Sequence, residues 1–113
     1  MRILVVEDEA LILMDVELRL QDAGHSVVAV SNADKAIECL SSCEVDLVLT
    51  DIDVPGTMDG LKLAAAVRDR WPPVRIIVMS GKHRPRIEEL PMEARFIAKP
   101  VDQTELMKAV AAW

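Results

Sequence analysis

The chain has 113 residues, the size of one domain, and because 51% of them are hydrophobic but only 3% aromatic, aliphatic side chains must supply the core. Its 13 basic and 19 acidic residues give a net charge of −6, which argues against direct binding of nucleic acid, whose phosphates require basic side chains. The longest apolar runs, 10–14 and 63–67, are too short to span a membrane and no signal-peptide pattern opens the chain, so we expect a soluble, cytoplasmic protein.

The first predicted strand is the apolar run 3–6, which is continuous rather than alternating and is therefore typical of a strand buried on both faces. The segment that follows it has helical spacing. The apolar face of this helix, which we expect to pack on the core, comprises Leu11, Met14, Leu18, Ile12 and Val16. Gly24 then follows as a helix stop.

The next two strands are predicted at 27–30 and 47–49, with a helix between them. Either Ser31 or Asn32 can cap that helix, because each side chain carries an oxygen that accepts a hydrogen bond from the first turn. Asp59 can cap a third helix in the same way.

The fourth strand is predicted at 76–79 and the fifth at 96–98. The connection between them includes 82–94, where prolines oppose a long helix, and we predict a short, weak fourth helix there. Asp102 begins a capping box for the fifth and last helix.

Strands and helices therefore alternate in a (βα)5 pattern. This pattern predicts an α/β fold, in which a doubly wound, parallel sheet of five strands has helices on both faces. In the strand order 2-1-3-4-5, strands 1 and 3 flank the switch point at which such sheets bind ligands. We expect one domain, covering residues 1–113.

Polar side chains follow the ends of four of the predicted strands: Glu7-Asp8, Asp51 (after Thr50), Ser80 and Lys99. Three carboxylates that converge repel one another by about 1 kcal/mol per pair even in water, so a cation must offset them. Hard oxygen ligands favour Mg²⁺. The charge of Lys99 and the hydroxyl of Ser80 would complete a site for a phosphoryl group.

Asp51 is the predicted nucleophile, because it follows the central strand, between the metal-binding acids and Lys99. An ionised carboxylate can attack phosphorus in line and form an acyl phosphate. Asp8 would then be a metal ligand, and Glu7 a direct or water-mediated one.

These residues lie in motifs that resemble those of one protein family. From Ile3 to the last helix, the chain is similar to the response-regulator receiver domains of two-component signalling, of the chemotaxis-regulator type. The motifs that carry the resemblance are Val5-Val6-Glu7-Asp8, Asp51 with Val54-Pro55 and Met58-Asp59-Gly60, Val78-Met79-Ser80-Gly81, and Ala98-Lys99-Pro100. The resemblance implies a flavodoxin-like fold, in agreement with the (βα)5 pattern.

The resemblance implies that Asp51 accepts a phosphoryl group from a histidine kinase or a phosphotransfer protein, in a reaction that requires Mg²⁺. The ligands of Mg²⁺ would be Glu7, Asp8, Asp51 and the backbone carbonyl of Asp53. Such a phosphoprotein is a signalling component of a phosphorelay and not an enzyme, since it catalyses only its own phosphorylation and autodephosphorylation.

The resemblance also implies a switch. Lys99, joined to Pro100 by a cis peptide bond, would contact the phosphoryl group, and Ser80 and Phe96 would rearrange on phosphorylation. The surface of the fourth helix, the fifth strand and the fifth helix would then meet a downstream protein or a second copy of the chain. No direct contact with nucleic acid or membrane is expected.

The loop after the acceptor departs from the family pattern. Thr57 is an extra residue there, so we expect a longer loop than usual. Asp53 and Lys82 stand two residues beyond Asp51 and Ser80, and we hypothesise that they pair across the site and slow hydrolysis of the acyl phosphate.

Two other functions stay open at this point. The run Asp51-Ile52-Asp53-Val54 also matches the first motif of phosphatases of the haloacid dehalogenase type. That family, however, places an acidic pair well downstream of its lysine, and few residues follow Lys99. The other alternative is a pseudo-receiver, which binds proteins without accepting phosphate, although all the site residues are intact.

Overall fold

The computed structural model describes residues 1–81 and 85–112. The strands are β1 (Arg2–Val6), β2 (Ser26–Val30), β3 (Leu47–Asp51), β4 (Arg75–Ser80) and β5 (Arg95–Ala98). The helices are α1 (Ala10–Asp22), α2 (Ala33–Ser42), α3 (Gly60–Arg70) and α4 (Gln103–Ala111). Each strand contains the apolar run that predicted it. None of the helices in the described ranges is long and apolar enough to cross a membrane.

The five strands form one parallel sheet in the order β2-β1-β3-β4-β5, as predicted. Asp51 pairs in register with Met79, and Ser80 pairs with Ala98, so the carboxyl ends of β3, β4 and β5 lie at one edge. Because β1 and β3 are neighbours, the residues that follow them begin side by side at the switch point of the sheet.

Side chains alternate between two cores, one on each face of the sheet. On β1, Leu4 and Val6 pack in the core that α2 and α3 cover, whereas Ile3 and Val5 pack in the core of α1 and α4. All four are fully buried, which explains why the apolar run is continuous. Since helices cover both faces of the sheet, polar side chains that could bind a ligand are expected at the ends of the strands.

Three side chains cap the helices that follow them, namely Asn32 for α2, Asp59 for α3 and Asp102 for α4. Each accepts a hydrogen bond of 2.9–3.0 Å from a backbone N–H group of the first turn. These caps were predicted, and Asn32 is the cap of α2 rather than Ser31. Helix α1 ends just before Gly24, whose φ of 93° is readily adopted by glycine.

The buried face of α1 differs from the prediction. Val16 and Leu20 are buried, and Ile12 and Leu13 are partly buried against the same core. Three residues that were expected in the core are instead exposed: Leu11 (82%), Met14 (56%) and Leu18 (57%). The prediction was wrong for these three because Leu13, Val16 and Leu20 form a second apolar row with the same spacing.

The connection from β4 to β5 also differs from the prediction. Within its described part it contains one 3₁₀ turn, Ile87–Glu89, and no α-helix. Pro85 precedes the turn and Pro91 follows it, and proline can neither donate the next hydrogen bond nor fit the interior of a helix. Residues 82–84 lie outside the described part of the chain.

Gly60 brings the start of α3 directly against the end of β3. A Cβ atom at this position would lie 2.0 Å from the carbonyl oxygen of Asp51 and 2.8 Å from the Cα atom of Ile52. The N–H group of Gly60 also donates to the carbonyl of Ile52 at 2.8 Å. The helix and the strand end therefore touch through backbone alone, and a side chain has no room between them.

We predict that Gly60→Ala lowers the free energy of unfolding by roughly 3–5 kcal/mol, because the new methyl group must push the backbone at Asp51 aside. The matched control is Gly24→Ala, where a Cβ atom meets nothing within 4 Å and only backbone strain at φ 93° is added. The control should lose about 1–2 kcal/mol. Urea unfolding of the two variants tests this, and equal losses would contradict the close contact.

Candidate functional site

Four polar side chains meet at the carboxyl edge of the sheet. Asp51 is the last residue of β3 and Ser80 the last of β4, while Glu7 and Lys99 directly follow β1 and β5. Glu7 is fully buried, and Asp51 and Ser80 are 5% and 3% exposed. Charged residues are rarely buried to this extent unless they are paired.

The ammonium group of Lys99 is the partner of both buried acids. Its Nζ donates a hydrogen bond to Oε1 of Glu7 and lies 3.2 Å from Oδ2 of Asp51. The other carboxylate oxygen of Glu7 accepts a hydrogen bond of 3.2 Å from the N–H group of Glu9. Lys99 therefore ties the end of β5 to the ends of β1 and β3.

The charges of the site are out of balance, and the pKa values reflect this. Burial raises the pKa of Glu7, and the charge of Asp51 adds to this, against the opposing hydrogen bonds from Lys99 and the Glu9 N–H group. Burial lowers the pKa of Lys99, but its hydrogen bond to Glu7 and the charges of Asp51 and Glu7 outweigh this, so the net shift is upward. Both groups therefore hold protons more tightly, Glu7 mainly because it is buried and Lys99 because two carboxylates face it.

A pocket of about 200 Å³ opens above these groups, and its lining includes Asp8, Asp51, Asp53, Gly81 and Lys99. Carboxylate oxygens of Glu7, Asp8 and Asp51 lie within 4.8 Å of one another. Three hard oxygen donors, of which Asp8 is exposed and Asp51 borders the pocket, fit a divalent cation such as Mg²⁺, which binds through one or two carboxylates and keeps several waters. The residues present therefore suit the metal that the sequence predicted.

Residues 3–111 match the family model of the response regulator receiver domain. The chain belongs to this family. It is thus a signalling domain of two-component response regulators, and the match favours a receiver over the phosphatase whose first motif the acceptor segment also resembles.

Curated relatives support the assignment. The chain is 36% identical over 109 residues to the two-component response regulator PhoP of Pseudomonas aeruginosa, covering 94% of this chain and 48% of PhoP. It is 36% identical over 116 residues to the regulatory protein VanR of Enterococcus faecium, covering 98% of this chain and 48% of VanR. The chain therefore spans about half the length of these relatives.

Solved structures have the same fold. A response regulator receiver protein from Sinorhizobium medicae is 36% identical, with a TM-score of 0.88 over 98% of this chain and 91% of that one. The response regulator TrrA from Thermotoga maritima, solved in complex with Mg²⁺ and BeF, is 28% identical, with a TM-score of 0.86 over 98% of this chain and 96% of TrrA.

The predicted switch residues of this receiver domain lie on neighbouring strands. Ser80 pairs in register with Ala98 of β5, and its carbonyl accepts a hydrogen bond of 3.0 Å from the N–H group of Lys99. Phe96 lies two residues before Ala98 and is partly buried. A Cβ atom on Gly81 would lie 3.2 Å from Cβ of Lys99, so glycine leaves room beside the lysine.

Three further predictions for the receiver site concern the Lys99–Pro100 peptide bond, Asp53 and Lys82. The Lys99–Pro100 peptide bond is cis, as the resemblance implied. Asp53 is exposed and lines the pocket. Lys82 lies outside the described residues, so its pairing with Asp53 stays a prediction.

Two residues that line the receiver pocket were not predicted as site residues. No role was predicted for Glu9, the N-cap of α1, and Ile12, in the first turn of α1, was predicted only as a core residue. A signal was present, because α1 begins within a few residues of the end of β1, so its first turn must lie beside the strand ends. Leu11, Met14 and Leu18 of the same helix were wrongly predicted to be buried for another reason, namely that two apolar rows of α1 have the same spacing.

Proposed function

We propose that this receiver domain, taken as residues 1–113, is a phosphoryl-accepting switch and that Asp51 is its acceptor. The observation that supports this proposal is the position of the Asp51 carboxylate. It lies 3.2 Å from the Lys99 ammonium and within 4.8 Å of the carboxylates of Glu7 and Asp8. A nucleophile with a cation on one side and metal ligands on the other suits phosphoryl transfer, whose transition state spreads charge over three oxygens.

The donor is a phosphohistidine of a histidine kinase or phosphotransfer protein. A carboxylate oxygen of Asp51 attacks the phosphorus, and the new O–P bond forms as the P–N bond breaks. The electron pair leaves with the imidazole, which takes up a proton. Lys99, whose pKa is raised by Glu7 and Asp51 against the effect of burial, stays protonated and places its charge beside the transferred oxygens.

Four groups would hold Mg²⁺, namely Glu7, Asp8, Asp51 and the backbone carbonyl of Asp53. The ion would supply positive charge for the phosphoryl oxygens. Asp8 is exposed and gives access from solvent, whereas Glu7 is fully buried and is fixed by Lys99 and the Glu9 N–H group. The Mg²⁺ complex of the related TrrA supports this choice of metal.

Phosphorylation adds negative charge and strong hydrogen-bond acceptors at Asp51. Ser80 and Phe96 respond, and the change reaches the surface formed by the connection 85–94, β5 and α4. This surface meets a downstream protein or a second copy of the chain. Autodephosphorylation returns the domain to its resting state, and we place the whole cycle in the cytoplasm.

The α1 stripe, which we define as Leu11, Met14 and Leu18, is the docking surface for the donor. It runs along the helix whose first residues border the pocket, since Glu9 and Ile12 line that pocket. A protein that brings phosphohistidine to Asp51 must therefore cover the start of α1. Three large apolar side chains exposed on one helix face indicate a surface that is covered in use.

The charges beside the α1 stripe are mostly acidic and describe the partner. Asp15, Glu17 and Asp22 lie on this helix against a single base, Arg19. Arg19 is already paired with Asp15 at 3.0 Å and donates to Gln103 of α4 at 3.1 Å. A donor helix with an apolar face and basic borders matches this surface, whereas a second copy of the same acidic helix would be repelled.

We predict that incubation with Mg²⁺ and acetyl phosphate adds one phosphoryl group to the native chain and none to Asp51→Asn. Intact mass spectrometry measures the adduct, and omission of Mg²⁺ should abolish it. Asp69→Asn, which makes the same change at an exposed acid on α3 outside the pocket lining, is the matched control and should still be labelled. A native chain that never takes up phosphate would favour the pseudo-receiver.

We predict that Leu11→Ser with Met14→Ser slows transfer from a protein donor about tenfold or more, since exposed apolar anchors contribute to binding. Labelling by acetyl phosphate and the stability should change little, because both side chains are largely exposed. The probe is a histidine phosphotransfer protein that labels the native chain. Val28→Ser, which removes an apolar side chain that is 37% exposed on β2, is the control. Equal slowing with both donors would contradict docking on α1.

A further inference from the structure

The loop from β3 to α3 is closed tightly at its base. The N–H group of Ile52 donates to the carbonyl of Met79 on β4 at 2.9 Å, and the N–H group of Gly60 donates to the carbonyl of Ile52 at 2.8 Å. Val54 is 8% exposed and belongs to the core below. Residues 53–59 therefore form a loop whose two ends lie close together at the edge of the sheet.

The tip of this loop is hydrogen-bonded to α2. The hydroxyl of Thr57 donates to Oδ1 of Asp34 at 3.1 Å, and a Cβ atom on Gly56 would lie 3.6 Å from Oδ2 of the same carboxylate. Gly56 has a φ of 109°, a conformation that other residues rarely adopt. The Asp34 carboxylate therefore accepts a hydrogen bond from Thr57, the extra residue that the sequence shows in this loop, and a side chain on Gly56 would meet the same carboxylate.

Asp34 is a firm anchor for the loop. It lies in the first turn of α2, where the positive end of the helix dipole favours a carboxylate. The turn is fixed by the Asn32 cap and by Ala33 and Ala36, which are buried against the sheet. The exposed hydrogen bond from Thr57 to Asp34 therefore joins the tip of the loop to a helix turn that is itself packed on the core.

We propose that Thr57 and Asp34 are positioning residues that set the stability of the phosphoryl group and the affinity for Mg²⁺; this inference rests on the proposed function. Asp53 lies between the acceptor Asp51 and the anchored tip, and it lines the pocket. Its carbonyl is a proposed ligand of Mg²⁺. A loop held at both its base and its tip would restrict the movement of that carbonyl when Mg²⁺ is bound, and would limit the approach of water to the acyl phosphate.

The test compares Thr57→Val, which keeps the shape but removes the donor, with Thr57→Ser, which keeps the hydroxyl. Loss of one such hydrogen bond changes an equilibrium by about threefold to tenfold. We expect Thr57→Val to weaken Mg²⁺ binding in calorimetry and to shorten the phosphoryl half-life by that factor. In metal-free protein, the amides of Val54 and Gly60 should exchange faster. Thr57→Ser and the control Ser41→Ala, which removes an exposed hydroxyl at the other end of α2, should behave as the native chain.

A double-mutant cycle identifies the partner, because the effect of Thr57→Val should vanish in an Asp34→Ala background. The proposal is overturned if Thr57→Val leaves metal affinity, half-life and amide exchange unchanged, or if its effects persist unchanged without Asp34. Failure of the native chain to accept phosphate would instead refute the proposed function. In that case the amide exchange of the metal-free variants still decides whether the contact positions the loop.

Discussion

One ammonium group holds the functional edge of this protein together. Lys99 contacts Glu7 and lies 3.2 Å from Asp51, so the end of β5 is joined to the ends of β1 and β3. Among the described residues that line the pocket, Lys99 is the one cation, while Asp8, Glu9, Asp51 and Asp53 bring carboxylates to it. The site therefore keeps a surplus of negative charge, which attracts a divalent cation and would repel an anionic phosphoryl group in the absence of that cation.

The fold holds these groups at short range through backbone contacts rather than through further charges. The parallel register aligns the strand ends, and Gly60 brings α3 directly behind Asp51 at a distance that no side chain tolerates. The loop that follows Asp51 is hydrogen-bonded at its base through Ile52 and at its tip through Asp34. Asp51 thus sits on rigid backbone, while the exposed Asp8 leaves one side open to solvent.

Much of this arrangement is predictable because it depends on local sequence. A continuous apolar run followed by a polar residue marks a strand end, and a side-chain oxygen before a helix marks a cap, so the strands, the caps and the convergence of the acids with Lys99 agree with expectation. The buried side of α1 was not predictable, because two apolar rows have equal spacing and only packing on the sheet chooses between them. The contact of Thr57 with Asp34 joins residues 23 apart on different elements, and no local pattern signals it.

Urea unfolding of Asp8→Asn tests most directly whether the site holds a surplus of negative charge that a cation relieves. Removing this carboxylate removes its repulsion with the neighbouring acids, so it should stabilise the metal-free protein. The gain should be only about 0.5–1 kcal/mol, because Asp8 is exposed and solvent screens part of the repulsion. Mg²⁺ should stabilise the native chain but not the variant. Glu38→Gln, which changes an exposed acid on α2 remote from the pocket lining, is the control. It should leave the stability of the metal-free protein unchanged, and Mg²⁺ should stabilise it as it stabilises the native chain. A metal-free Asp8→Asn protein that is less stable than the native chain, or that Mg²⁺ stabilises equally, would contradict the claim.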